Sequence, residues 1–328
     1  MTTPRIPRRI ALAAGLGAAL PLRGLRAEPY PDRPIKWIVA YAAGGGTDTL
    51  ARILGAAISA RLGQPMVVDN RPGAATNIGA EAAAKSPPDG YTVFSADNGT
   101  LVFNTALFRR LPYEPARDFQ PIGLMARFPL VLVVKQASAF ADARVLFEAA
   151  RARPGTIDYG SPGIGSPHHL AMERLSKEMG ARLTHVPYRG AAPALNDLLA
   201  GTLESMVLDL PSGLEHLRAR RVTPLALCSA QRHPDLPGVP TIGEALGLAR
   251  FEAYAWQGLV APASTPAPVA GRLTAELAAA LREEAVSGKL RGIGLEPLSG
   301  GPEEFRRLIE AERAVWLPLI RELGISLD

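Results

Sequence analysis

Cysteine is nearly absent: Cys228 is the only one in 328 residues. A single thiol closes no internal disulfide, and nothing around it has metal-ligand spacing. Its neighbours Leu225-Ala226-Leu227 read as a strand, so the thiol is expected as a small core residue. Long apolar runs are missing too. Beyond the N-terminus no stretch approaches the ~20 apolar residues of a membrane-spanning helix, so the mature protein is expected to be soluble. A basic excess is missing once its location is considered. The formal charge of +5 comes from residues 1–27, which hold five arginines (Arg5, Arg8, Arg9, Arg23 and Arg26) and no Asp or Glu. The 31 basic residues that follow match 31 acidic ones. That balance leaves nothing to hold a phosphate backbone and excludes nucleic acid as the expected partner.

What is present is the composition of a folded body: 47% hydrophobic and 20% charged residues, too apolar for a disordered chain. The length suits two domains better than one. Arg8-Arg9 followed by Ile10–Leu20 gives a positive start and a short apolar run, the pattern of an export leader. Cleavage is expected after Ala27, by general secretion or, given the paired arginines, the twin-arginine route.

Strand and helix patterns then alternate. Ile35–Ala40 reads as a strand, and Leu50, Ile53, Leu54, Ala57, Ile58 and Leu62 recur at helical spacing. Met66–Val68, a helix over Asn77–Ala84 and Tyr91–Ser95 continue the alternation. Leu130–Val134 is a continuous apolar run, as expected of a strand buried on both faces. After it come a helix over Ala143–Arg153, strand Ile157–Ser161, a helix from His168 to Met179, strand Leu183–Tyr188, a helix over Ala192–Ala200 and strand Met206–Asp209. A helix over Leu214–Arg220, strands Pro224–Ser229 and Trp256–Pro262, and helices Pro268–Arg282 and Pro302–Leu323 complete the chain. The fold class is α/β, built from βαβ units with mainly parallel sheets.

Three loops share one physical character: Ala42–Asp48, Ser95–Thr100 and Ser161–Ser166. Each follows a strand, carries Gly or small polar residues, and precedes a helix. Such loops offer backbone N–H groups at a helix N-terminus, where the dipole favours an anion. They lie at the carboxyl ends of the strands, where open α/β sheets bind ligands. Gly44-Gly45-Gly46 matches neither the dinucleotide nor the phosphate-loop pattern. The expected site therefore grips an anion through N–H and hydroxyl donors, with no cofactor and no metal. The candidate ligand-binding residues are Tyr41, Ala43, Gly44, Gly45, Thr47, Asp48, Ser95, Asn98, Ser161, Gly163, Gly165, Ser166, His168, Tyr188, Gly190 and Asp209. Asp48 either caps its helix or also meets ligand. Asp209 either contacts ligand or holds a loop. Tyr41, Tyr188 and Trp256 either wall the cleft or pack in the core.

Catalytic patterns are poor. Ser161 and Ser166 lie near His168 and His169, but no nucleophile elbow surrounds either serine. The adjacent histidines are not an i, i+4 metal pair, and His185, His216 and His233 have no partner by spacing. No catalytic residue is assigned. A periplasmic hydrolase using Ser161 or Ser166 with His168 is the competing reading from another class.

The residues from Tyr30 to the C-terminus resemble the Bug family of extracytoplasmic solute receptors, the binding components of tripartite tricarboxylate transporters. The likeness is carried by Ala43–Asp48, Asn70-Arg71-Pro72-Gly73-Ala74, Asn77-Ile78-Gly79-Ala80-Glu81, Pro88-Asp89-Gly90-Tyr91-Thr92, Gly163–Leu170, His185–Gly190, Asp197–Gly201 and Pro237–Thr241. It implies a periplasmic-binding-protein-like fold of two α/β lobes around a central ligand cleft. Lobe 1 is expected over 28–125 plus 250–328, and lobe 2 over 126–249. It implies a periplasmic, monomeric, non-enzymatic protein that captures a small carboxylate-bearing solute for the permease subunits. The alternative is a binding component that feeds a signalling sensor. In the family, one ligand carboxylate is held by the loops that correspond to Ala42–Asp48 and Ser161–Ser166. This sequence departs from the family at Ala75 and Thr76, where glycines are usual. Two added Cβ atoms are expected to narrow the pocket or move the loop. Asp97, if it faces the cleft, is expected to repel a second carboxylate or to favour an amine.

Overall fold

A computed structural model describes residues 30–328; the leader read over 1–27 lies outside them. The first βαβ unit runs β1 (Ile35–Val39), a helix over Gly46–Leu62, β2 (Met66–Asn70), a helix over Asn77–Ala84 and β3 (Thr92–Asp97). β1 lies between β2 and β3 and is parallel to both. Its residues Ile35, Trp37, Ile38 and Val39 are buried, as an inner strand covered on both faces requires. Leu50, Leu54 and Ile58 are the buried stripe of the first helix, at the i, i+4 spacing that holds one face against a sheet.

β4 (Phe119–Lys135) follows, 17 residues long. The winding then repeats. A helix over Ala143–Ala152 leads to β5 (Asp158–Ser161), a helix over Pro167–Glu178, β6 (Thr184–Pro187), a helix over Ala191–Ala200 and β7 (Ser205–Asp209). β5 lies between β6 and β7, parallel to both. The order 6-5-7 of the second half thus reproduces the order 2-1-3 of the first. β8 (Val222–Leu227), β9 (Tyr254–Pro262) and the short β10 (Glu296–Pro297) complete the strands.

The expected parallel units are therefore at the two ends, while the centre is antiparallel. β9 pairs antiparallel with β3 and with Phe119–Pro129 of β4. Residues Leu130–Val134 of the same β4 pair with β7, and Val131–Lys135 with β8. One strand thus serves both sheets. The return crossing is tied to it through Cys228 N to Leu130 O and Ala253 N to Cys228 O, both 2.8 Å. Cys228 is buried as expected, and desolvation pushes its thiol up to about 12.

A hydrophobic cluster runs through this junction, joining Ile38, Phe94 and Phe103 to Leu132, Leu146, Leu175, Trp256 and Trp316. The C-terminal helix Pro302–Glu322 closes it by burying Phe305 and Trp316. Each such fully buried large side chain is worth roughly 1.5–3 kcal/mol. Among the described residues no helix is long and apolar enough to cross a membrane.

Candidate functional site

In the first half, Ala42 to Gly45 are exposed between β1 and the Gly46–Leu62 helix. The helix N-cap is Gly45, so no side chain caps its first-turn N–H groups, and they remain donors for an anion. Gly44 is not among those donors. Its N–H goes to Asp48 Oδ2 at 2.9 Å, which also accepts from Arg52 Nε at 2.9 Å. Asp48 Oδ1 accepts from Asn70 Nδ2 at 2.9 Å. Burial alone would raise the Asp48 pKa, but Arg52, the Gly44 N–H and Asn70 hold it below the ordinary carboxylate range. Asp48 therefore stiffens the loop from behind. Thr47 is buried, and Gln257 Nε2 of β9 donates to its Oγ1 at 3.2 Å. A Cβ on Gly46 would lie 2.9 Å from the Phe128 ring and 3.3 Å from Pro211. The helix N-terminus thus abuts both β4 and the second half.

In the second half most loop N–H groups are taken up locally. Gly163 N donates to Ser161 Oγ at 3.2 Å, Gly165 N to His169 Nδ1 at 3.1 Å, and Ser166 N to Gly163 O at 3.2 Å. Ser166 Oγ caps the Pro167–Glu178 helix by accepting from His169 N. Ile164 stands 40% exposed at the loop tip. Gly165 has φ +74°, and a Cβ there would lie 2.4 Å from Leu107 Cδ1 of the first half. Beneath the loop, Ser161 Oγ and His185 Nε2 are 2.7 Å apart, and the His169 and His185 rings stack at 4.0 Å. Burial lowers His185 to about 4; burial and then His185 lower His169 to about 3. Both imidazoles are neutral at neutral pH. Because His169 Nδ1 accepts, its proton sits on Nε2.

Two aspartates occupy equivalent places, at the ends of β3 and β7. Asp97 Oδ1 accepts from Thr100 N and Thr100 Oγ1, both at 2.7 Å, and Oδ2 from the Tyr41 hydroxyl. Asp209 Oδ1 accepts from Ser212 N at 2.9 Å, and Oδ2 lies 3.0 Å from His168 Nε2. Each aspartate caps the turn that follows it and fixes one ring from the preceding loop region. Burial would raise Asp209, but the His168 imidazole and Ser212 bring it below the usual range. Desolvation of its hydroxyl, then Asp97 and more weakly Asp209, pushes the Tyr41 phenol well above its usual pKa. Tyr41 thus senses carboxylates from both halves.

Several candidates point elsewhere. Ser95 is buried and accepts from Trp37 Nε1 at 2.8 Å. Asn98 is fully buried and donates to Tyr254 O at 3.0 Å. Trp256 is fully buried against Phe305, edge to face at 5.5 Å, so it packs the core and walls nothing. Tyr188 turns its hydroxyl to Asp197 Oδ2 at 2.6 Å, anchoring the Ala191–Ala200 helix. Ser161 is fully buried and meets His185 in place of His168, which is committed to Asp209. The proposed serine–His168 pair is not formed. Asp97, conditional in the sequence reading on facing the cleft, is 3% exposed and its oxygens accept from Thr100 and Tyr41. The turn before Asn77 is left-handed. Ala74, Ala75 and Thr76 take φ +46°, +49° and +75°, a conformation glycine adopts without strain. Asn104 Nδ2 donates to Ala75 O at 2.8 Å, and Thr76 Oγ1 meets Thr100 Oγ1 at 2.8 Å, so hydrogen bonds hold the turn in this conformation. Gln257, Phe128, Pro211 and Leu107 shape the junction and escaped the sequence reading, and His185 was read there as unpartnered although it meets Ser161; no local spacing signals these contacts. Among the described residues no group of three or more His, Cys, Asp or Glu is placed to hold a metal.

Residues 50–325 match the family described as "Tripartite tricarboxylate transporter family receptor". The chain is 35% identical over 315 residues to protein BugT of Bordetella pertussis, covering 96% of this chain and 95% of that one. It superposes on the structure of Rpa4515 of R. palustris with adipate at TM-score 0.85 and 37% identity, over 91% of this chain and all of that one. With MatC of Rhodopseudomonas palustris, solved with bound malate, the TM-score is 0.81 and the identity 30%, over 89% of this chain and all of that one. Two equivalent α/β halves, paired glycine loops at their junction and this full-length likeness agree: the chain belongs to the tripartite tricarboxylate transporter family of solute receptors.

Proposed function

We propose that the junction is a ligand cleft that takes one carboxylate of a small organic acid at the N-terminus of the Gly46–Leu62 helix. One observation carries this reading: the loop up to the N-cap Gly45 is exposed, no side chain caps that helix, and its first residue abuts Pro211 of the other half. An anion there meets N–H donors and the positive end of the dipole. The two similar structures, solved with adipate and with malate, favour an acid. In this reading the halves are lobes, with change-overs at Pro129–Leu130 of β4 and between Cys228 and Tyr254. Tyr41, Ala43, Gly45 and Thr47 line one side, and the Ile164 tip with the His168–Asp209 pair lines the other.

Binding needs no covalent step. A ligand touched from both sides stabilises the closed arrangement, because only that arrangement contacts it twice. The protein would work in the periplasm as a monomer and present the closed form to membrane permease subunits. The fully buried Ser161 and the His168–Asp209 pairing both disfavour hydrolysis.

A thermal-shift screen of mono-, di- and tricarboxylates tests the reading. At a ligand concentration 100-fold above Kd, stabilisation of about 2.7 kcal/mol is expected, a rise of several degrees in Tm. Should no acid move Tm, the reading fails.

A further inference from the structure

We propose that Glu312, outside the junction loops, is a proton-operated latch on the return crossing between the halves. Protonated, it holds the Asn98 amide on the backbone of Tyr254; ionised, it draws that amide away. The use of such a latch rests on the receptor reading above, but the latch itself belongs to the ligand-free chain.

The return crossing re-enters the first half at Glu252–Tyr254, where side chains from both halves meet it. Ala253 N donates to Cys228 O at 2.8 Å. From the second half, Arg174 Nη1 of the Pro167–Glu178 helix donates to Glu252 O at 3.0 Å. From the first half, the Arg127 guanidinium lies 4.1 Å over the Tyr254 ring, and Asn98 Nδ2 donates to Tyr254 O at 3.0 Å. Asn98 is thus the side chain through which the end of β3 reaches the crossing.

Glu312 stands behind Asn98. It is buried, and its carboxylate faces the Trp256 indole of β9, the Trp316 indole of its own helix and the Asn98 amide. Phe305 on Trp256 and Trp316 on Phe103, both edge to face at 5.5 Å, fix its helix in that place. Three buried atoms here have no hydrogen-bond partner among the described residues: Glu312 Oε2, Asn98 Oδ1 and Trp256 Nε1. One of them is a donor and two are acceptors, so the trio is one hydrogen short. A proton on Glu312 supplies it. The carboxyl O–H then donates to Asn98 Oδ1, and a carboxyl oxygen accepts from Trp256 Nε1. That keeps the amide in the orientation that gives Nδ2 to Tyr254 O. Without the proton, the carboxylate repels Oδ1 and attracts Nδ2, and a charged acceptor is stronger than the neutral Tyr254 carbonyl.

The charges around Glu312 leave it without a cation. Arg127 of β4 is shared between Glu252 at 3.4 Å and Glu296 of β10 at 3.8 Å. Arg174, 5.7 Å from the Trp316 ring, is committed to Glu178 at 2.7 Å. Asp97 at the end of β3 is committed to Thr100 and Tyr41. The segment Gly99–Leu107 brings no titratable group. On its own helix, Glu310 and Arg313 face each other at 3.9 Å. Burial first, and Glu252 last, raise Glu312 to about 6, and the Tyr254 phenol is in turn raised to about 12 by burial and then by Glu312. The proton therefore exchanges close to neutral pH. The arrangement in which the halves abut at Gly46–Pro211 and Gly165–Leu107 contains the Asn98–Tyr254 bond, so protonation favours it.

Hydrogen exchange of the ligand-free mature chain, read by mass spectrometry at pH 5.0, 6.0 and 7.5 and corrected for intrinsic rates, tests the latch. The proteins are wild type, Glu312→Gln and Asn98→Ala, with Asn98→Ser in its place if that variant does not fold. In wild type, protection of the crossing over 250–256 should fall on the order of 10-fold from pH 5.0 to 7.5, within the roughly 30-fold that a rise from 4.5 to about 6 allows. Glu312→Gln, whose amide donates to Asn98 Oδ1 at every pH, should stay protected throughout. The Asn98 variant should be poorly protected throughout. A flat wild-type profile overturns the proposal, and so does a wild-type pH dependence that survives in Glu312→Gln. The same dependence surviving in the Asn98 variant overturns it too, since Glu312 would then act on overall stability alone. Failure to bind any acid would remove the receptor reading and leave the latch; a flat profile removes the latch and leaves the receptor reading.

Discussion

Asp97 shows how a loop carboxylate becomes an anchor. A carboxylate at the end of a buried strand must find donors, since an unpaired buried charge is expensive. Here two donors from Thr100 and one from Tyr41 supply them, and the same bonds hold Tyr41 at the junction. Asp97→Ala should cost about 2 kcal/mol or more, from the lost cap and the orphaned Thr100 and Tyr41 donors. Asp97→Asn should cost less, because an amide oxygen still accepts from Thr100. Urea unfolding of the two variants checks this; an Asp97→Ala midpoint equal to wild type would refute the anchoring role. Asp209 stands in the same relation to Ser212 and His168.

Among elements, Gly165 is where the second-half loop packs closely against Leu107 of the first half. Two penalties fall on Gly165→Ala: a left-handed φ of +74° and a methyl 2.4 Å from Leu107 Cδ1. Together they should cost on the order of 2–4 kcal/mol. Leu107→Ala in the same chain relieves the second penalty only. A double-mutant cycle should therefore return a coupling of about 1–2 kcal/mol, and zero coupling would separate the two residues. Elements of this kind divide what the sequence discloses from what it conceals. Strands β1, β5 and β7 and the helices Asn77–Ala84 and Pro302–Glu322 were legible within a residue or two, because periodicity and Gly or Pro boundaries are local signals. The first half of β4 was not: Pro121, Gly123 and Pro129 interrupt its pattern, and its register shifts twice against β9. Nor was the turn Gly99–Phe103, a π-helical segment whose cap, Asp97, looks like any loop carboxylate. The glycine loops were legible, but the use of their N–H groups was not. Gly165 bonds to a histidine kept neutral by burial, and Ser161 meets a histidine 24 residues away. Such pairings are properties of packing.

For the whole molecule, two buried titrations oppose each other. His169 and His185 are lowered to about 3 and about 4, below the ordinary 6.5, so the fold favours their neutral forms. Their contribution is complete above about pH 6.5 and is lost as pH falls toward 4. Glu312 of the C-terminal helix is raised by burial to about 6 from 4.5. Its ionisation opposes folding above about pH 6, and that penalty disappears as pH falls to about 4.5. The Glu312 contribution is worth about 2 kcal/mol. Glu312→Gln should therefore lose stability more steeply than wild type on acidification from pH 6 to 4.5, as read by Tm. Parallel curves would show that Glu312 is not the opposing group. A last consequence belongs to β4. Its first eleven residues complete one sheet and its last six the other, and the return path through Cys228 and Ala253 is bonded to its middle. Recombination at a single point can never exchange one half between relatives. A chimera needs two breakpoints, after Pro129 and before Tyr254, and its imported segment must bring the second half of a strand whose first half stays behind. Inheritance of the second half is thereby tied to inheritance of part of the strand it shares with the first.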